Sequence, residues 1–101
     1  MFGLIGDFTA LPGKREEMIR LIIAGTRNVP GCLNYIVSRD FEDPDKLWIT
    51  EVWETRESHK ASVFFPTVAA AIDGVMPLMA RMGHLVEIEP VGGVGLDMRA
   101  G

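Results

Sequence analysis

The sequence predicts an α+β domain in the order β-α-β-β-α-β, with four strands in one antiparallel sheet. Three observations carry this. Turn signals at LPGK (11–14), VPG (29–31) and DFEDPDK (40–46) cut the first half of the chain into segments of strand or helix length. The segment between the first two turns has apolar residues at helical spacing, whereas its neighbours are short, apolar and rich in β-branched and aromatic residues. The second half then runs from a helix start at ETRES to a last apolar stretch, HLVEIEPV.

Residues 2–9, FGLIGDFT, form the first predicted strand. A helix follows over 14–28, with Met18, Leu21 and Ile22 on one face, Ile19 and Ile23 widening it, and the charged residues mostly outside. Val29-Pro30-Gly31 stops it, because the residue before a proline avoids helical angles and the glycine opens a turn. CLNYIVSR (32–39) and LWITEVWE (47–54) read as a hairpin across the polar turn at 40–46. Thr55 is a plausible N-cap for a helical region spanning 56–82. Pro66 suits the first turn of a second, longer helix within it, and Gly74 and Pro77 should break that helix near its end. Residues 84–91 form the fourth strand, and GGVGLDMRAG (92–101) is a glycine-rich tail, mobile or laid across a partner subunit. One domain, 1–91, followed by this tail is the expected organisation. The element order is that of a ferredoxin-like fold.

Composition narrows the partners. Of 101 residues, 48% are hydrophobic, which is rich for so small a soluble monomer. No apolar run approaches the roughly 20 residues needed to cross a bilayer, so a membrane partner is not expected. The N-terminus lacks the basic and apolar regions of a signal peptide. Net charge is −4 with Lys and Arg scattered, which argues against nucleic acid. The single cysteine, Cys32, excludes an internal disulfide, fits a reducing cytoplasm and reads as a small buried side chain.

The strands point to the missing partner. In the third, Leu47, Ile49, Glu51 and Trp53 alternate with Trp48, Thr50 and Val52. In the second, Cys32, Asn34, Ile36 and Ser38 alternate with Leu33, Tyr35 and Val37; in the first, Phe2, Leu4 and Phe8 oppose Ile5. Neither face is polar, yet the helices can cover only one. A second copy, packed sheet against sheet, would dry the other. One tryptophan then serves the dimer layer and the other faces the helices, with the choice open because a bulge would exchange them.

Site chemistry is sparse. His59, just beyond the third strand, is the best proton acceptor by chemistry. Asn34 and the Trp53 indole N–H are candidate donors, and Phe64, Phe65, Met76 and Met79 could form an apolar pocket wall. Glu51 becomes a rival base if it is buried without a partner, since burial raises a carboxyl pKa. Each has a structural alternative. His59 in RESHK reads equally as a solvated helix residue, Trp53 as a core anchor, Asn34 as a turn contact, Glu51 as half of an ion pair and the methionines as core filler. His84 should meet solvent. Cys32, His59 and His84 lie too far apart to suggest a metal site, and GGVG (92–95) has no following helix to make a phosphate loop.

Several stretches together resemble the antibiotic biosynthesis monooxygenase family. They are PGK (12–14), PGCLNY (30–35), EVWETRESH (51–59), MPLM (76–79) and HLVEIEPV (84–91), and the resemblance covers residues 2 to 91. It implies a homodimeric α/β barrel with a pocket in each protomer between helices and sheet. Some members oxidise quinol- or anthrone-like aromatics with O2, needing neither metal nor flavin; others degrade haem or isomerise small metabolites. The haem-degrading pattern is not met: residues 2–9 contain no Asn, and no Trp follows Trp53. Many members carry a His nine residues after the aromatic that ends the third strand; Ser62 stands there, and the histidine comes earlier, as His59. The expected function is therefore cofactor-independent oxidation of an aromatic substrate by O2. A non-catalytic small-molecule-binding dimer is the alternative, and an isomerase would require convergent arginines, for which Arg39, Arg56 and Arg81 are the candidates.

Overall fold

The computed structural model describes residues 1–96. Its elements are β1 (Phe2–Ala10), α1 (Arg15–Gly25), β2 (Cys32–Arg39), β3 (Lys46–Trp53), α2 (Arg56–Ser62), α3 (Pro66–Val75), a 3-10 turn (Met76–Leu78) and β4 (Met79–Ile88). The strands make one antiparallel sheet in the order β2-β3-β1-β4. This is the ferredoxin-like arrangement expected from the sequence, with the second helical region divided in two.

Local chemistry sets the boundaries. Glu16 and Glu17 occupy the first turn of α1, where carboxylates complement the helix dipole. The helix ends at Gly25, three residues short of the predicted boundary: the Thr26 hydroxyl and N–H both donate to the Ile22 carbonyl, and Asn28 takes a left-handed conformation at φ 55°. Gly25 is also where α1 meets α3. A Cβ there would lie 2.7 Å from the Thr67 carbonyl oxygen and collide with Ala71. Thr55 caps α2 as expected, its side chain accepting from the Ser58 N–H at 3.0 Å, and Pro66 opens α3.

The fourth strand differs from its prediction over 84–91. It spans Met79–Ile88, because Pro77 ends the helical run and the chain extends at once, pairing Met79 with Ala10. The pairing slips opposite Asp7. Gly6 faces Leu85 and Phe8 faces Met82, so Gly83 and His84 together stand opposite one residue. The Asp7 carboxylate turns into that space, accepts the His84 N–H at 2.7 Å and is almost fully buried. Any side chain on Gly83 would overlap it. Burial pushes the Asp7 pKa up, but the His84 N–H, the His84 imidazole and Lys46 outweigh that and hold it below its ordinary value. The His84 ring is exposed, as expected.

Register decides which side chains share a face. Leu47, Ile49, Glu51 and Trp53 lie beside Phe8, Gly6, Leu4 and Phe2 respectively, all on the helix side. In β2 a bulge at Leu33 pairs Cys32 with Trp53 and Asn34 with Val52. Cys32 therefore joins Tyr35 and Val37 on the helix side, rather than Asn34 and Ile36 as strict alternation would have it. One buried cluster gathers Ala10, Met18, Ile22, Leu47, Ile49 and Val75; a second gathers Phe2, Leu4, Val29 and Trp53. Trp53 is thus the tryptophan facing the helices.

The opposite face carries Ile5, Ile36, Trp48, Val52, Val86 and Ile88. Among the described residues no helix covers it, and Ile36, Val86 and Ile88 are 50%, 50% and 38% exposed. Trp48 lies on this face, its indole N–H donating to Asp40 at 2.8 Å. The tail crosses the same face at one end: Pro90 lies over Gly3, and the Gly95 carbonyl accepts from Asn34 Nδ2 at 3.4 Å. The last five positions of the predicted tail, 97–101, lie outside the described residues. Among the described residues no single helix is long and apolar enough to cross a membrane.

Candidate ligand cavity and the adjoining carboxyl–imidazole pair

The helices do not seal the sheet completely. A cavity of about 290 Å³ remains between α1, α3 and the sheet. Met18 and Ile22 of α1 line one side, and Ala71, Ile72 and Val75 of α3 line the other. Met76, Met79 and Met82 follow along the chain, and Phe8, Tyr35 and Ile49 form the floor. Four methionines around the cavity, Met18, Met76, Met79 and Met82, give a flexible, polarizable lining suited to aromatic rings. Thr26 also touches the cavity, but its hydroxyl is committed to the Ile22 carbonyl at 2.8 Å. A larger depression of about 560 Å³ at the strand ends, between Phe2, Arg56, Glu87 and Glu89, is a groove open to solvent. Arg56 there is tied to Glu87 at 2.8 Å and lies over the Phe2 ring at 4.5 Å.

Beside the cavity, under α2, the end of β3 assembles a polar niche. The Trp53 indole N–H donates to Glu51 Oε1 at 2.9 Å. His59 Nε2 stands 3.7 Å from the same oxygen, with its ring packed edge-on to Trp53 (centroids 5.6 Å) and tilted on Phe2 (5.4 Å). Residues 51 and 53 alternate onto the same face of the strand, and Thr55 then starts the helix that swings His59 back over them. Burial pushes the Glu51 carboxyl up, opposed only in part by the indole hydrogen bond. Burial pushes His59 down; Glu87 opposes that and Arg56 adds to it. Both shifts favour the uncharged forms, and at 3.7 Å the two groups face each other without a hydrogen bond.

Tyr35 joins the two regions. It lines the cavity floor and is the register partner of Glu51 across the β2–β3 ladder. Burial, then the charge of Glu51, then Cys32 raise its phenol pKa, so it stays a neutral donor. Burial, reinforced by Glu51, also raises the Cys32 thiol pKa, against a weak contact with the Asn34 backbone, and keeps the thiol protonated.

The structure brings His59, Trp53 and Glu51 together and places Met76 and Met79 in the cavity wall. It does not bring the other candidates to them. Phe64 and Phe65 line a separate surface groove with Val29, Pro30 and Ser58, and Phe64 is 84% exposed. Asn34 lies on the opposite face of the sheet, bonded to the tail. None of Arg39, Arg56 or Arg81 lines the cavity; Arg39 is paired with Glu16. Sequence reasoning missed Tyr35, Met18, Ile72 and Met82. The signal for Tyr35 was its pairing with Glu51 across the hairpin; Met82 reaches the cavity only through the slip in β4. Among the described residues no group of three or more His, Cys, Asp or Glu could hold a metal ion.

Comparison with known proteins places this geometry. The profile of the antibiotic biosynthesis monooxygenase family matches residues 1–73. A crystal structure from Chloroflexus aurantiacus J-10-fl that carries the same family name is 47% identical, covers 95% of this chain and 98% of its own, and superposes with a TM-score of 0.92. One from Deinococcus radiodurans is 28% identical over 93% of this chain and 96% of its own, with a TM-score of 0.74. One from Nitrosomonas europaea, 20% identical over 93% and 99% with a TM-score of 0.77, shares the fold. No curated protein matches significantly. The β-α-β-β-α-α-β fold and the profile agree, and the protein belongs to the antibiotic biosynthesis monooxygenase family.

Proposed function

We propose that this protein is a homodimeric, cofactor-independent monooxygenase that oxidises a quinol- or anthrone-type aromatic with O2. The observation that carries the reading is the apolar, methionine-walled cavity of about 290 Å³ lying next to the half-buried Glu51–His59 pair. An anthrone-type substrate supplies its own electrons. Loss of a ring proton gives a carbanion, which passes an electron to O2, and the radicals recombine at carbon. One oxygen atom becomes the new carbonyl, and the other leaves as water with the two hydrogens the carbon has lost. The chain's part is to exclude water, hold the ring flat and accept the first proton. His59 is the acceptor in this scheme, since burial favours its neutral imidazole, with Glu51 beside it at 3.7 Å.

The uncovered sheet face supports the dimer. Ile5, Ile36, Trp48, Val52, Val86 and Ile88 form an apolar layer that a second copy would dry. Sedimentation velocity at micromolar concentration should give a dimer; well-folded protomers with Trp48 solvated would contradict it. The free Cys32 suits a reducing compartment, and we place the protein in the cytoplasm.

A second reading, a non-catalytic small-molecule-binding dimer, is favoured by one fact: among the described residues, Tyr35 is the only titratable side chain lining the cavity. Among the described residues no arginine lines the cavity to hold the polar metabolite of an isomerase. Oxygen uptake by metal-free protein across a panel of quinols and anthrones separates the readings. Substrate-dependent uptake above the buffer rate is expected; binding without uptake would establish the second reading instead.

A further inference from the structure

The cavity wall is apolar except at Thr26 and Tyr35, and the Thr26 hydroxyl is already used. Tyr35 differs. Its ring is packed between the two buried clusters, yet its hydroxyl makes no hydrogen bond among the described residues. No fully enclosed side-chain oxygen or nitrogen there lacks a partner, so the Tyr35 oxygen is reached from open space. The space that Tyr35 borders is the cavity.

We infer that the Tyr35 hydroxyl is the specificity-determining contact of this cavity, selecting a flat apolar ligand with one hydrogen-bond-accepting oxygen, such as a ring ketone. The inference rests on the proposed aromatic-binding role of the cavity and adds to it the polarity and number of groups the ligand must carry. The phenol is neutral and therefore donates. A poorly solvated phenol without a partner is disfavoured, and a ligand acceptor offsets that cost. A second polar group on the ligand would face Met18, Ile22, Ile72 or Val75 and stay unpaired, so within the proposed substrate range the contact favours the anthrone type, with oxygen at one end, over the quinol type, polar at both.

The test uses a matched pair that needs no turnover: 9-fluorenone, which has one carbonyl, and fluorene, which has the same ring system and none. The wild type should bind the ketone about three- to tenfold more tightly than the hydrocarbon, the range one net hydrogen bond supplies. Tyr35→Phe should bind both equally, at the wild-type affinity for fluorene. A preference that survives in Y35F, or no preference in the wild type, overturns the assignment while leaving the cavity as the ligand site. If neither compound binds, the aromatic-cavity reading fails and this inference fails with it. A measurement on the wild type alone guards against a folding defect in the variant. The carbonyl stretch of bound fluorenone should move to lower frequency, and an unshifted stretch overturns the assignment.

Discussion

Two regions lie side by side beneath the helices, and they are built on opposite terms. The niche under α2 is well packed and polar. Trp53 is 2% exposed, its indole N–H is satisfied by Glu51, and His59 packs against it. The cavity under α1 and α3 is apolar and open, with side chains such as Ile72, Met76 and Met82 partly exposed around it. The niche spends its contacts on holding the end of the sheet together, whereas the cavity leaves contacts unmade. A protein that needed only stability would close the second as it closed the first. Under the proposed function the ligand belongs in the cavity and proton handling in the niche, with Tyr35 between them.

Substitutions can break this comparison, beginning with the largest effect. Trp53→Ala removes a fully packed ring and its hydrogen bond, and should cost about 3–5 kcal/mol in chemical denaturation. Met76→Ala, at a side chain 59% exposed beside the cavity, should cost less than about 1 kcal/mol. Equal losses would mean that the cavity wall is as structural as the niche. Gly25→Ala pushes α1 from α3 where their backbones touch, and should cost about 1–3 kcal/mol by overpacking, visible as a lowered melting temperature. Thr55→Ala removes the cap of the helix that carries His59. It should cost about 1 kcal/mol, with faster amide hydrogen exchange confined to α2.

The smallest effects are in pH dependence. Burial raises Glu51 above 4.5 in the folded chain. Its protonated form thus supports folding fully below that value, and the support is lost as pH rises through the folded pKa. Glu51→Gln keeps an acceptor for Trp53 and should gain stability over wild type at pH 8 but not at pH 4. His59 is lowered below 6.5, so its contribution is complete above that pH and is lost as pH falls through the folded value. His59→Gln should flatten the wild-type loss of stability below pH 6.5. Denaturation midpoints across pH 4–8 measure both, and unchanged profiles would place these groups in water rather than in a niche.

Much of this division was legible in the sequence, and the limits are physical. Alternation along LWITEVW put Glu51 and Trp53 on one face, and Thr55 announced the helix that returns His59 to them. What alternation does not carry is a change of register. The bulge at Leu33 moved Cys32 to the helix side, and the slip opposite Asp7 brought Met82 to the cavity; both depend on pairing with a strand remote in sequence. The early start of β4 was hidden because MARMG has no period of two. Phe64 and Phe65 looked like pocket wall by residue type, but they occupy the turn between α2 and α3 and reach a different groove. Residue type suggests an apolar wall; only the path of the chain decides which wall.

The division predicts where an aromatic ligand sits, and nuclear Overhauser contacts between protein methyl groups and bound 9-fluorenone read that position directly. Contacts to the methyls of Met76, Met79, Met82 and Ala71 are the expected result. Contacts instead to Val29 or Ala61 in the groove beside Phe64, or to Ile36, Val52 and Val86 on the far face of the sheet, would contradict it.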